Sequence, residues 1–348
     1  MRTLRYPLAI LSLLAACAAL AFGAIGQAGA APRRSGGAHR ASSSSRHARH
    51  ASSSYPLVGI GNESAQMFRN GFYTQLHTKI VRYIAPYDAV AHRYSLDEAI
   101  TFIQGAEANH EKVLVAFYHS EYTPLKLPSV AQYQRDVAKF IKIFPHVKEY
   151  QAWDEANRGY IPHAEASPSA DATARYYQAL IRVCRGCTVI GLDVLDAQYI
   201  GPTLEYIHEF KDEIGRLKTI MPKIWGLHNY SDVNRLESWR TREIIRAFGG
   251  GQTWLTETGG IVQFGGAFPN KHGSGLKRAA KVIKYMFAMA GNFPQVKRLY
   301  VYDWTGGVSS TRFDAGLTNA HEQPREGYVV VCKQLHAPGC NGIKLAKN

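Results

Sequence analysis

Residues Tyr150–Gly159 read YQAWDEANRG, an apolar run that breaks into two adjacent carboxylates, Asp154 and Glu155, beside an amide and an arginine. Such a cluster is costly to bury, so it belongs at the wet end of a strand, where it is either solvated or half of a catalytic pair. The run that carries it, KEYQAWDE (148–155), is one of eight similar segments. The others are PLVGIG (56–61), KIVRYIAP (79–86), KVLVAFYHS (112–120), TVIGLDV (188–194), KIWGLHNY (223–230), QTWLTETG (252–259) and RLYVYDWTG (298–306). Most are nearly continuous in Val, Ile, Leu, Tyr or Trp, as strands covered on both faces must be.

Amphipathic segments alternate with these runs. SLDEAITFIQGAEANH opens at Ser95 with Glu98 three residues on, a capping box that predicts a helix start at that serine. Residues 129–144, 169–184, 203–215, 235–250 and 275–291 repeat the helical period, the last two ending in glycine. Met67–Leu76 and Glu322–Leu335 supply a first and a final helix. Eight strand-then-helix units predict a (β/α)8 TIM barrel, an α/β fold whose closed parallel sheet leaves no edge. An open doubly wound sheet is the alternative. It would favour a glycine-rich phosphate loop after the first strand, and GIGNES lacks the third glycine, so no nicotinamide cofactor is expected.

The 348 residues, 46% hydrophobic and 11% aromatic, suffice for a sizeable core. The chain begins MRTLRYPLAILSLLAACAALAFGAIGQAGA: two arginines, an apolar stretch, and small residues with Ala28-Gly29-Ala30 as a cleavage site. Residues 1–30 therefore read as a secretory signal peptide rather than a retained membrane anchor. Residues 31–54 hold no aliphatic side chain larger than alanine and read as a Ser/His/Arg-rich disordered linker, leaving 55–348 as the folded domain. The linker's histidines lack a paired spacing, so metal binding there is not expected.

The net charge of +14 invites a nucleic-acid reading, but seven of the arginines lie within residues 1–54, which carry no acid. The remainder has 34 basic against 27 acidic residues, an excess of 7 that is spread along the chain, so no nucleic-acid partner is expected. Cys17 falls in the signal peptide. The other four cysteines form two local pairs, Cys184/Cys187 in CRGC and Cys332/Cys340 in CKQLHAPGC, which suit two short-range disulfides in an oxidising compartment. A redox CxxC or a four-thiolate zinc site is the alternative.

In a barrel, chemistry gathers at the C-terminal ends of the strands. Those ends supply Arg82 and Tyr83, Tyr118 and His119, Asp154 and Glu155, Asp193, His228 and Tyr230, Glu257, and Asp303 with Trp304. Glu155 on the fourth strand and Glu257 on the seventh face each other across the axis, and two carboxyls flanking a glycosidic bond can hydrolyse it. On that reading Arg82 and Tyr230 donate to Glu257 and keep it ionised as nucleophile. A more apolar setting raises the pKa of Glu155 for acid work. Trp304 is then a stacking platform under a sugar, His119 and His228 are substrate-binding or supporting groups, and Tyr83, Tyr87, Tyr118, Tyr122, Tyr160 and Tyr199 line a cleft.

With these motifs in place, WDEAN, TETGG, GLHNY and YDWTG together with VRY, the region from Tyr55 to about Leu335 resembles the glycoside hydrolases of clan A. The resemblance implies a retaining (β/α)8 enzyme with Glu155 as acid/base and Glu257 as nucleophile. It also implies substrate contacts from Arg82, His119, Asp154, His228, Tyr230 and Trp304. One position departs from the clan, which usually has asparagine before the acid/base glutamate where this chain has Asp154; an aspartate accepts a hydrogen bond from a sugar but does not donate one. The expected protein is a secreted monomeric glycosidase acting on a β-linked polysaccharide or oligosaccharide without metal or organic cofactor. Once the signal peptide is cleaved, no membrane attachment is expected. The rival is a non-catalytic carbohydrate-binding barrel of the cell wall.

Overall fold

The computed structural model describes residues 55–160, 166–308 and 311–346. The expected signal peptide and linker lie outside these residues. Among the described residues no helix is long and apolar enough to cross a membrane.

All eight predicted strands are present: β1 (Leu57–Gly61), β2 (Ile80–Pro86), β3 (Lys112–Tyr118), β4 (Glu149–Gln151), β5 in two segments (Thr188–Ile190 and Asp193–Leu195), β6 (Ile224–His228), β7 (Gln252–Thr258) and β8 (Val296–Tyr302). Every pairing among them is parallel, and β1 pairs with both β2 and β8. The ring closes through the break in β5. Its first segment pairs with β4 and its second with β6, while Gly191 N–H donates to the Ile224 carbonyl and Gly226 N–H to that of Leu192. The predicted (β/α)8 barrel is therefore the observed fold.

The helices outside the ring include α1 (Gly71–Thr74), α2 (Arg93–Ala108), α3 (Val130–Ile143), α4 (Ala170–Val183), α5 (Gly201–Arg216), α6 (Tyr230–Arg235), α7 (Trp239–Phe248), α8 (Ser274–Gly291) and α9 (Glu326–Gln334). Ser129 and Ser169 cap α3 and α4, accepting from the amides of Gln132 and Ala172, so the first-turn donors are met as the sequence predicts. The start expected at Ser95 is corrected: α2 begins at Arg93, and the buried Ser95 hydroxyl donates to Glu121 instead. The single helix expected over 235–250 is also corrected, because Leu236 turns left-handed at φ 57° and separates α6 from α7. Both local disulfides, Cys184–Cys187 and Cys332–Cys340, are formed.

Two irregularities set the inside of the barrel mouth. The β6–β7 pairing steps from Gly226↔Trp254 to His228↔Glu257, and the β8–β7 pairing from Leu299↔Leu255 to Val301↔Thr258, which marks a bulge near the end of β7. Strict alternation sends neighbours to opposite faces; the bulge lets Thr256 and Glu257 both serve the lumen. At β4 the ladder stops at Gln151, and Glu155 adopts φ 41°, so Asp154 and Glu155 both turn inward.

Candidate active site

Arg82 on β2 is the inward side chain that organises the mouth. Its Nη1 donates to Glu257 Oε1 at 2.7 Å, and Nη2 donates to Asp154 Oδ1 and lies 3.5 Å from Gln151 Oε1. Tyr230 donates to the other Glu257 oxygen at 3.2 Å. His228, at the end of β6, stands among four carboxylates. Nδ1 is 2.9 Å from Glu155 Oε1 and 3.6 Å from Glu257 Oε2; Nε2 is 3.1 Å from Asp193 Oδ2 and 3.7 Å from Asp154 Oδ1. The structure thus brings together six of the predicted site residues: Arg82, Asp154, Glu155, His228, Tyr230 and Glu257.

All of this is enclosed. Glu155, His228, Asp193 and Glu257 are fully buried. Four carboxylates with two cations at the centre cannot all ionise in such surroundings. Burial pushes Glu257 up to about 8, against the pull of His228 and Arg82, and burial raises Asp154 despite Arg82. Burial would also raise Glu155, but the hydrogen bond from His228 and the Arg158 guanidinium, 3.5 Å away, hold it below the usual carboxylate range. Asp193 is lowered in the same way, its burial outweighed by His228, Arg82 and Thr256. His228 is buried too, yet Asp193, Glu257 and Glu155 hold its pKa well above 6.5, as an imidazolium. The expectation of a raised Glu155 and an ionised Glu257 is corrected: at Glu257 burial outweighs His228 and Arg82, whereas at Glu155 His228 and Arg158 outweigh burial.

Trp304 is also corrected. It is fully buried and packs edge-on against Tyr73 and Tyr328, with centroids 5.3 and 5.8 Å away, as part of the outer core rather than as a sugar platform. Tyr83 and Tyr87 are likewise core residues, stacked on Phe102 and on Trp153. His119 lies half-buried at the rim, its ring 4.2 Å from that of Tyr118 and its Nδ1 3.0 Å from the Ser120 carbonyl. Tyr122 and Tyr199 are exposed, Tyr122 stacked on His92. Asn157 ties the β4 loop to β5, accepting from Leu195 N–H and donating to its carbonyl.

Sequence reasoning assigned no role to Asp193, Arg158, Thr256, Gln151 or Glu63. An acid inside the apolar run TVIGLDV was the one available signal. Glu63, after β1, accepts from Tyr302 at 3.0 Å, and burial pushes it up to about 7. Asp154, His228 and Glu257 offer donor atoms within 4.8 Å of one another, a spacing that could hold a cation. Arg82 already stands between two of them and meets that need with its own charge.

Loops after β7 and β8 roof the mouth. Gln263–Phe264 pairs antiparallel with Phe313–Asp314, and Leu195, Tyr230, Ile261, Phe264 and Tyr302 form an apolar cluster beneath. A cavity of about 50 Å³ remains, bordered by Glu155, Tyr230, Leu195, Ile261, Phe264 and Phe313.

No family model matches the chain, and no curated protein does. Solved structures do. Xylanase 10B from Thermotoga maritima aligns with a TM-score of 0.58 at 15% identity, over 81% of this chain and 95% of the other. Xylanase XynB from Paenibacillus barcinonensis aligns with a TM-score of 0.60 at 9% identity, over 80% and 95%. Fungal β-1,4-galactanases align with a TM-score of 0.57 at 9% identity, over 80% and 99%. The chain has the same (β/α)8 fold as these xylanases and galactanases across nearly their whole length.

Proposed function

We propose that this protein is a secreted glycoside hydrolase that cleaves a β-linked oligosaccharide or polysaccharide with retention, Glu155 acting as acid/base and Glu257 as nucleophile. One observation carries the reading: both glutamates reach the same nitrogen, His228 Nδ1, at 2.9 and 3.6 Å. Those distances cap the separation of the two carboxylate oxygens at about 6.5 Å, the lower edge of the inverting range and compatible with the closer retaining pair. Export is supported by the N-terminal sequence and the two disulfides.

The reaction requires the proton on Glu155, whereas Glu257 is the one of the two whose pKa is raised. His228 is the group that moves it: Nδ1–H passes its proton to Glu155, and Nδ1 takes the Glu257 proton in return. Glu257, with Arg82 and Tyr230 donating to it, then attacks the anomeric carbon while Glu155 protonates the leaving oxygen. Water reverses the sequence, with Glu155 as base. Glu155 borders the cavity and its Oε2 makes no hydrogen bond among the described residues, so this carboxyl is the one placed to address that oxygen. The roofed mouth supports attack on short chains or chain ends over bonds deep within a polymer.

Incubation with β-glucans, mannans, xylans and galactans tests this. Reducing ends should appear with the wild type, fall about 10²–10⁴-fold in Glu155→Ala, and fall by about 10³-fold or more in Glu257→Ala. Glycan binding without product from any substrate would instead select the non-catalytic carbohydrate-binding reading.

A further inference from the structure

Glu155 stands in the left-handed backbone region, at φ 41°, a conformation that is unfavourable for a residue with a Cβ. Something must hold it there: Asp154 N–H, one residue earlier, donates to the Phe117 carbonyl of β3 at 2.8 Å, but that bond does not reach the Glu155 amide. Asp193 does. Its Oδ2 accepts from the Glu155 amide at 3.2 Å, and its carbonyl accepts from the Ala156 amide at 3.0 Å, so the second segment of β5 brackets the turn on both sides. The same Oδ2 lies 3.1 Å from His228 Nε2, which leaves Nδ1 directed at Glu155. The other oxygen, Oδ1, accepts from Thr256, the residue beside Glu257 on β7. Space for the carboxylate comes from β6, where a Cβ on Gly226 would stand 2.0 Å from Asp193 Oδ1.

We propose that Asp193 is the positioning residue of the reaction described above: it fixes the left-handed turn that aims Glu155 and orients the His228 ring against it, tying both to the strand of Glu257. The inference rests on that glycosidase reading. Asp193 itself touches none of the reacting atoms. The charged groups around the His228 ring are Asp154 and Glu155 from the β4 loop, Asp193 from β5 and Glu257 from β7, with Arg82 bonded to Asp154 and Glu257 and Arg158 beside Glu155. Asp193 is the one of these carboxylates that faces Nε2 and also anchors the backbone of the acid.

The test compares two aryl β-glycosides of the sugar the wild type hydrolyses fastest: a dinitrophenyl glycoside, which leaves without a proton, and a phenyl glycoside, which needs one. For Asp193→Asn, kcat/KM on the phenyl substrate should fall about 100-fold, as for a misplaced catalytic group, and far less on the dinitrophenyl one. The basic limb of the kcat/KM profile should move to lower pH, because the proton shared by Glu155 and His228 loses a stabilising negative charge. Gly226→Ala should reproduce this pattern by displacing the carboxylate. If Asp193→Asn folds poorly, Thr256→Val, which leaves the carboxylate in place but releases one oxygen, should show the same leaving-group dependence in weaker form. Equal losses on both substrates with an unmoved pH profile would overturn the proposal. If the wild type cleaves no glycoside at all, the glycosidase reading fails instead. The positioning role is then read from the ¹⁵N shifts of His228, which should report a doubly protonated ring in the wild type and a neutral tautomer in Asp193→Asn; an unchanged ring would overturn it.

Discussion

The floor and the mouth of this barrel are both built from inward-facing side chains, yet they treat charge in opposite ways. At the floor, Ile80, Leu114, Ile190, Trp254 and Tyr300 form an apolar plug around one ion pair. Arg298 there grips Glu149 through two hydrogen bonds, at 2.5 and 3.0 Å, and lies 3.8 Å over the Trp254 ring. One cation meets one anion. At the mouth, Asp154, Glu155, Asp193 and Glu257 share Arg82, His228 and the more peripheral Arg158, so the cluster holds a proton that no fixed pairing assigns. A matched pair stabilises and does nothing else; an unmatched cluster leaves a proton to be shared among its carboxylates.

The largest stability effect should come from a residue that lies at the mouth in sequence but behaves as core. Trp304→Ala should cost about 3–5 kcal/mol, the range for emptying a large aromatic site, measured by denaturant unfolding. KM at a temperature where the variant stays folded should hold. A KM rise with little loss of stability would restore Trp304 to the sugar site. Next is the floor itself. Arg298→Ala leaves Glu149 poorly solvated and should cost about 2–3 kcal/mol, somewhat less than a fully sealed pair. Exchange of both partners for apolar residues of similar volume should come close to neutral. An Arg298→Ala variant as stable as the wild type would show the floor pair to be solvent-screened and the contrast with the mouth to be overstated.

The difference between the two ends also explains what the sequence reveals. The eight strands were legible because doubly covered strands must be apolar throughout, and the mouth residues because carboxylates and histidines at their ends break that pattern. Ser129 and Ser169 announced their helices because a cap is a local hydrogen bond. Ser95 misled because its hydroxyl found Glu121, a partner 26 residues away. Trp304 misled because its place at a strand end does not reveal the direction of its side chain. Thr256 was hidden, and Asp193, read at a strand end, was given no role, for a related reason. Only the bulge in β7 sends Thr256 inward beside Glu257, and only the break in β5 delivers Asp193 to the Glu155 turn. The order of acidities was beyond reach, since it depends on distances among groups from β2, β4, β5, β6 and β7 that no single segment encodes.

The smallest effect separates the two ends most cleanly, because it reverses the usual sign for deleting a buried ionisable group. Glu257 has a folded pKa of about 8 against an ordinary 4.5. A carboxyl raised on folding binds its proton more tightly in the native state, so its contribution is complete below about 4.5 and is lost as pH climbs towards 8. Glu63 and Glu111, each pushed up to about 7 chiefly by burial, act in the same direction. Glu155 and Asp193, both lowered, act oppositely: their contribution is present above the ordinary carboxylate range and lost as pH falls below it. Glu257→Gln keeps the shape and removes the ionisation. Its Tm should therefore decline less than that of the wild type between pH 4.5 and 8 and stand higher at the alkaline end. Parallel Tm profiles for the two proteins would mean that Glu257 is already ionised at neutral pH, and the mouth would then be as well matched in charge as the floor.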